Sequence, residues 1–168
     1  MRTLLTTIVT LMLVGQGSAS DEKCLQKNAR YIDADKVVEI QFTDLGSETG
    51  LSSNTFTVKP VETEVSMKGW VLWNNAVSRP NGVITYQCPD GDITGEELDA
   101  CTVWDGVVYS VWRDGTVDLL PPGDDPAASK ILLPDFGRKL RYSAVWTDKK
   151  MESVPWDAFS YSGCSAAK

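Results

Sequence analysis

The chain has 168 residues, with 16 Lys and Arg against 23 Asp and Glu, no histidine, four cysteines and a net charge of −7. That length fits one domain that buries roughly 70% of its unfolded surface. The acidic balance argues against nucleic-acid or anionic-lipid partners, which need phosphate neutralisation, and the lack of histidine removes the commonest acid–base and metal-binding side chain near neutral pH.

Residues 1–20 read as a cleavable export signal. Arg2 gives a positive start, Leu4 to Val14 is mostly apolar, and Gly17-Ser18-Ala19-Ser20 supplies the small residues that a signal peptidase needs. The apolar run falls well short of the ~20 residues of a membrane-spanning helix, so no transmembrane segment is expected once the signal is removed. Cleavage after Ser20 leaves 21–168 as a single exported β domain. Its charge is −8, because Arg2 leaves with the signal. The expected location is the periplasm or the extracellular space, where cysteines are oxidised.

Along the mature chain, Cys24 to Ile32 shows a weak helical pattern. A strand over 36–42 follows, with Val38, Ile40 and Phe42 alternating with Glu39 and Gln41. After the turn residues Asp44 to Gly50, strands are predicted at 55–59, 61–68 and 69–73, the second from alternation of Val61, Thr63, Val65 and Met67 with polar neighbours. Pro80-Asn81-Gly82 and Pro89-Asp90-Gly91 bracket a strand at 83–88. Thr94 and Glu97 have the spacing of a capping box, which predicts a short helix from Gly95 to Cys101. Strands at 107–112 and 116–120 flank Asp114-Gly115, a dipeptide suited to a type I′ hairpin. Strands at 130–133 and 140–147 complete the series, the last from alternation of Leu140, Tyr142, Ala144 and Trp146. Phe159 and Tyr161 alternate after Trp156 and suggest a final strand. The fold class is therefore all-β: an antiparallel barrel or sandwich of about eight to nine short strands with one or two short helices, stapled by disulfides.

Four cysteines allow three connectivities. The nested one pairs Cys88 with Cys101 across the capped turn and Cys24 with Cys164 near the two mature ends. Each bridge adds about 2–4 kcal/mol of stability. A catalytic thiol is disfavoured by the even count and the absence of a histidine to form the thiolate.

Three features carry candidate chemistry. The segment from Asp90 to Leu98 resembles the second half of an EF-hand calcium loop: Asp90, Gly91, Ile93 and Glu97 fall on its acid, glycine, aliphatic and bidentate-glutamate places. The resemblance covers nine residues and implies calcium ligands from Asp90, Asp92, Thr94 and Glu97, while Tyr86 and Cys88 stand where the first ligands belong. A polar turn leading into a capped, disulfide-pinned helix accounts for the same residues without a metal or any other cofactor. The second feature is six tryptophans, of which Trp73 and Trp156 are the best candidates for exposed platforms that bind a saccharide or a protein partner. The third is the abundance of carboxylates, which would serve a small glycosidase-like hydrolase, although no pair stands out by spacing. The Tyr86-Gln87-Cys88 triplet and the cysteine near the C-terminus resemble the small periplasmic barrels that inhibit lysozyme. The serine-glycine loop that enters the enzyme in that family has no counterpart here, and no residue role is carried over.

From Cys88 to Pro126 there are ten acids and one base, Arg113. From Lys130 to Lys150 there are six bases and two acids, so the charge reads either as two faces of one solvated surface or as a docking site. The expected function is an exported binding or interaction module with an acidic surface, with a basic protein partner, including an enzyme that it inhibits, as its leading partner class. The competing classes are a carboxylate-dependent hydrolase and a structural envelope protein with a calcium-stabilised loop.

Overall fold

Alternation of apolar and polar residues produces the strands, and small residues at chosen positions let their neighbours' rings fit between them. The computed structural model describes residues 24–46, 52–72, 79–149 and 151–165. The predicted signal, 1–20, lies outside the described residues, as does Trp73. The strands are β1 (Ala29–Asp33), β2 (Val38–Thr43), β3 (Ser52–Pro60), β4 (Met67–Leu72), β5 (Asn81–Thr85), β6 (Thr102–Val107), β7 (Tyr109–Val111), β8 (Val117–Leu119), β9 (Lys130–Leu132) and β10 (Ala158–Cys164). The helices are α1 (Gly95–Cys101), α2 (Phe136–Arg141) and α3 (Ala144–Lys149).

All ten strands form one antiparallel sheet in the order β6-β5-β4-β3-β2-β1-β10-β9-β7-β8. Only Val108 separates β6 from β7, so the strand at one edge runs directly into a strand near the other. The result is a nearly closed barrel, with ten strands among the described residues where eight to nine were expected.

The interior follows the register. Val38, Ile40 and Phe42 are buried, and they face Pro60, Val58 and Phe56 across the β2–β3 pair. The Phe42 and Phe56 ring centroids are 5.1 Å apart. Gly69 lies opposite Phe56, where a methyl group would run into the Phe56 ring. The missing side chain leaves the space that the aromatic fills. Trp104 does the same on a larger scale, its fully buried indole lying across the paired Gly82 and Gly106. Its Nε1–H donates to the Pro134 carbonyl at 2.9 Å, which ties the barrel to the corner that leads into α2.

Several expected elements differ from those observed. The predicted strand at 61–68 is a turn up to residue 66. Pro60 ends β3, Thr63 N–H donates to the Pro60 carbonyl, and Thr63 Oγ1 accepts from Val65 N–H, leaving Val61 54% exposed. The predicted strand at 140–147 is instead the end of α2 and most of α3. Phe136 and Leu140, four residues apart, are the buried face of α2, while Tyr142 is 83% exposed. The weak helix over Cys24–Ile32 reduces to a 3-10 turn at Gln26–Asn28 followed by β1. The Asp114-Gly115 hairpin forms, but with the three-residue loop 113–115 and a single positive φ, at Gly115. That is the bulged form rather than type I′.

Both disulfides take the nested pairing, Cys24–Cys164 and Cys88–Cys101. No helix among the described residues is long and apolar enough to cross a membrane.

Candidate functional site

Register sorts the connections between the two ends of the barrel. The β1–β2 turn, the β3–β4 turn, the α1 segment and the long excursion through α2 and α3 all leave from one end, here called the helical end. The β7–β8 hairpin, the Cys24–Cys164 bridge and the Lys27 ion pairs with Asp44 and Asp124 lie toward the other. The acidic stretch from Cys88 to Pro126 is thus divided. Asp90, Asp92, Glu96, Glu97 and Asp99 sit at the helical end, and Asp114, Asp118, Asp124 and Asp125 toward the opposite one.

At the helical end α1 is built as the sequence predicts. Thr94 Oγ1 accepts from Glu97 N–H, and Glu97 Oε2 accepts from Thr94 N–H at 2.8 Å and from Thr94 Oγ1 at 2.9 Å. Those bonds, the backbone one first, hold the Glu97 carboxyl below the ordinary carboxylate range. Cys101 ends the helix in the bond to Cys88. Nothing in α1 is buried, and Leu98 is 40% exposed. Asp90 and Asp92 are exposed on the approach to the helix. Among the described residues no three His, Cys, Asp or Glu side chains are grouped to hold a metal ion. The structure therefore places all four calcium candidates in one capped turn, with the Glu97 carboxylate already engaged by Thr94.

An open groove of about 570 Å³ separates α1 from α2 across β6. Leu98 and Asp99 line it from α1, and Arg138, Lys139 and Tyr142 from the α2 side. The α2 wall is fixed from a distance. Asp157, just before β10, accepts from the backbone N–H groups of Asp135 (2.7 Å) and Gly137 (3.0 Å) and so caps the helix. A side chain at Gly137 would strike the Pro155 carbonyl, so this position holds the 151–157 segment close. Both basic residues of the groove have partners: Arg138 pairs with Asp135 at 3.0 Å, and Lys139 pairs with Asp105. The Arg138 guanidinium holds the Asp135 carboxyl below its usual range. Asp90, Asp92, Glu96 and Asp99 form no ion pair with any described residue, which leaves the uncompensated charge of the α1 side negative.

The tryptophans separate by role. Trp104 is core, and Trp70, Trp112 and Trp146 are half-buried, the last beneath the Arg141 guanidinium at 4.6 Å. Trp156 is 60% exposed, as expected, and its Nε1–H donates to Asp35 Oδ2 at 2.8 Å. Sequence reasoning missed Tyr142, Arg138 and Lys139 as groove residues, because reading 140–147 as a strand hid the Phe136–Leu140 helical spacing that orients them. Comparison of the chain with protein-family models, curated proteins and solved structures finds no match.

Proposed function

We propose that the protein is an exported binding module that holds a basic protein partner in the groove between α1 and α2. The observation that carries this reading is α1 itself, a helix that buries none of its residues yet is fixed by a capping box and a disulfide. Such an element adds nothing to the core, so what it fixes is a surface: the acids Asp90, Asp92, Glu96 and Asp99, with the apolar Leu98 at the groove's lip. Unpaired acids speed encounter with a basic partner, and apolar contacts at the groove then slow its release. Two disulfides accord with an oxidising compartment.

The test is affinity capture from an envelope extract with the oxidised protein and with an Asp90→Lys/Glu96→Lys/Asp99→Lys variant. The wild type retains a basic protein that elevated salt releases, and the variant does not retain it. Equal retention by both removes α1 from the binding surface.

A further inference from the structure

A second groove at the helical end, of about 450 Å³, carries chemistry that a protein partner at α1 leaves unused. It lies between the β1–β2 turn, the β3–β4 turn and residues 151–153. Met151 and Val37 give it an apolar floor packed on the core, and three carboxylates, Asp35, Glu62 and Glu152, line it together with one base, Lys36. None of these three acids forms an ion pair with a described residue.

Trp156 adjoins the groove through Asp35, one of its lining residues. Its Nε1–H is held by Asp35 at 2.8 Å, so the one polar atom of the indole is satisfied and the ring, 60% exposed, offers its apolar surface. The turn that carries Asp35 is itself fixed. The buried Asp33 carboxylate accepts from the N–H groups of Asp35 (3.2 Å), Val37 (2.8 Å) and Val38 (2.7 Å). A flat aromatic surface is therefore held in place beside the Asp35 carboxylate, at a groove that Glu62 and Glu152 also line.

We propose that this groove binds a β-linked, gluco-configured oligosaccharide. In such a sugar the hydroxyls are equatorial, so each ring presents flat C–H faces to an indole and a belt of O–H donors to carboxylates. Sites for neutral polar ligands combine these two elements: an apolar wall for affinity and a few placed polar groups for orientation. With three carboxylates against the single base Lys36, the lining carries a net negative charge that disfavours phosphorylated or acidic ligands. A basic peptide is the competing occupant, and it would require no flat aromatic surface.

The experiment is a two-dimensional amide NMR titration of the oxidised protein with cellotetraose, chitotetraose and, separately, tetralysine. Millimolar sugar is expected to shift the Trp156 indole N–H and the Asp35 and Ser153 amides saturably, and Trp156→Ala to weaken that binding by at least about tenfold. Trp156→Phe, which keeps an aromatic surface without the tether, binds between the two. Because the ring is exposed, both variants keep the dispersed spectrum of the folded barrel. Failure of both sugars to shift these signals overturns the proposal. So does equal affinity in Trp156→Ala, or a response to tetralysine alone.

Discussion

Cys88 is bonded to Cys101 at the base of a helix that contributes nothing to the core, whereas Cys24 is bonded to Cys164 across a sequence separation of 140. The two bridges therefore have different physical consequences. In the chain-entropy picture, the outer bridge, closing the longer loop, stabilises by about 2 kcal/mol more than the inner one, whose separation is 13. Urea unfolding of Cys24→Ser/Cys164→Ser is expected to show the larger loss of midpoint. Cys88→Ser/Cys101→Ser should lose less and become sensitive to proteolysis within 89–101, with the barrel intact. The reverse order would mean that α1 supports the barrel.

Because α1 buries nothing, loss of its cap is a local event. Thr94→Ala removes the acceptor for Glu97 N–H and costs about 1 kcal/mol. Amide exchange in 95–101 should accelerate while the global melting temperature hardly moves. Millimolar calcium should leave that temperature unchanged, since the Glu97 carboxylate is engaged by Thr94. A saturable rise, lost in Asp92→Ala, would instead make the loop a calcium site.

Trp104 joins the barrel to the helical excursion, so its truncation should be felt in both. Trp104→Ala is expected to cost about 3–5 kcal/mol, through the void left over Gly82 and Gly106 and through the unpaired Pro134 carbonyl. Trp104→Phe keeps most of the volume and loses mainly the hydrogen bond, a penalty of about 1–3 kcal/mol. Chemical denaturation of the two variants measures the difference, and equal losses would show that the ring volume over Gly82 and Gly106 adds nothing beyond the lost N–H bond.

Tyr31 gives the fold an alkaline limit. It is fully buried, its hydroxyl donates to Gln26 Oε1 at 2.8 Å, and burial pushes its pKa up from the ordinary 10.0. The neutral form is therefore favoured in the folded state. Its contribution is intact below pH 10.0 and is lost as pH climbs beyond it, because only the unfolded chain then releases the proton. Absorbance titration of the five tyrosines should show one that ionises only as the barrel unfolds. Ionisation of all five in the folded protein would contradict the burial of Tyr31.

Legibility in the sequence followed the range of the interactions. The Thr94–Glu97 cap and the β2 alternation are set by neighbours within a few residues, and both appear where the sequence places them. The disulfide nest followed from the even count and the positions of the cysteines. β1 was obscured because its inward set is Ala29, Tyr31 and the turn-capping Asp33, while Ile32 lies on the other face. The run Leu140 to Trp146 satisfies period two by coincidence. The caps that make α2 helical come from Asp157, twenty residues downstream of Gly137. The groove between α1 and α2 was not legible at all, since Leu98 and Tyr142 meet across it only through the barrel's register.

Amide hydrogen exchange of the captured complex shows whether α1 and α2 form the working surface. Slowed exchange on partner binding is expected in 90–105 and 138–143. Protection confined to the opposite end, in 113–119 and 123–126, would place the binding surface at the β7–β8 hairpin instead.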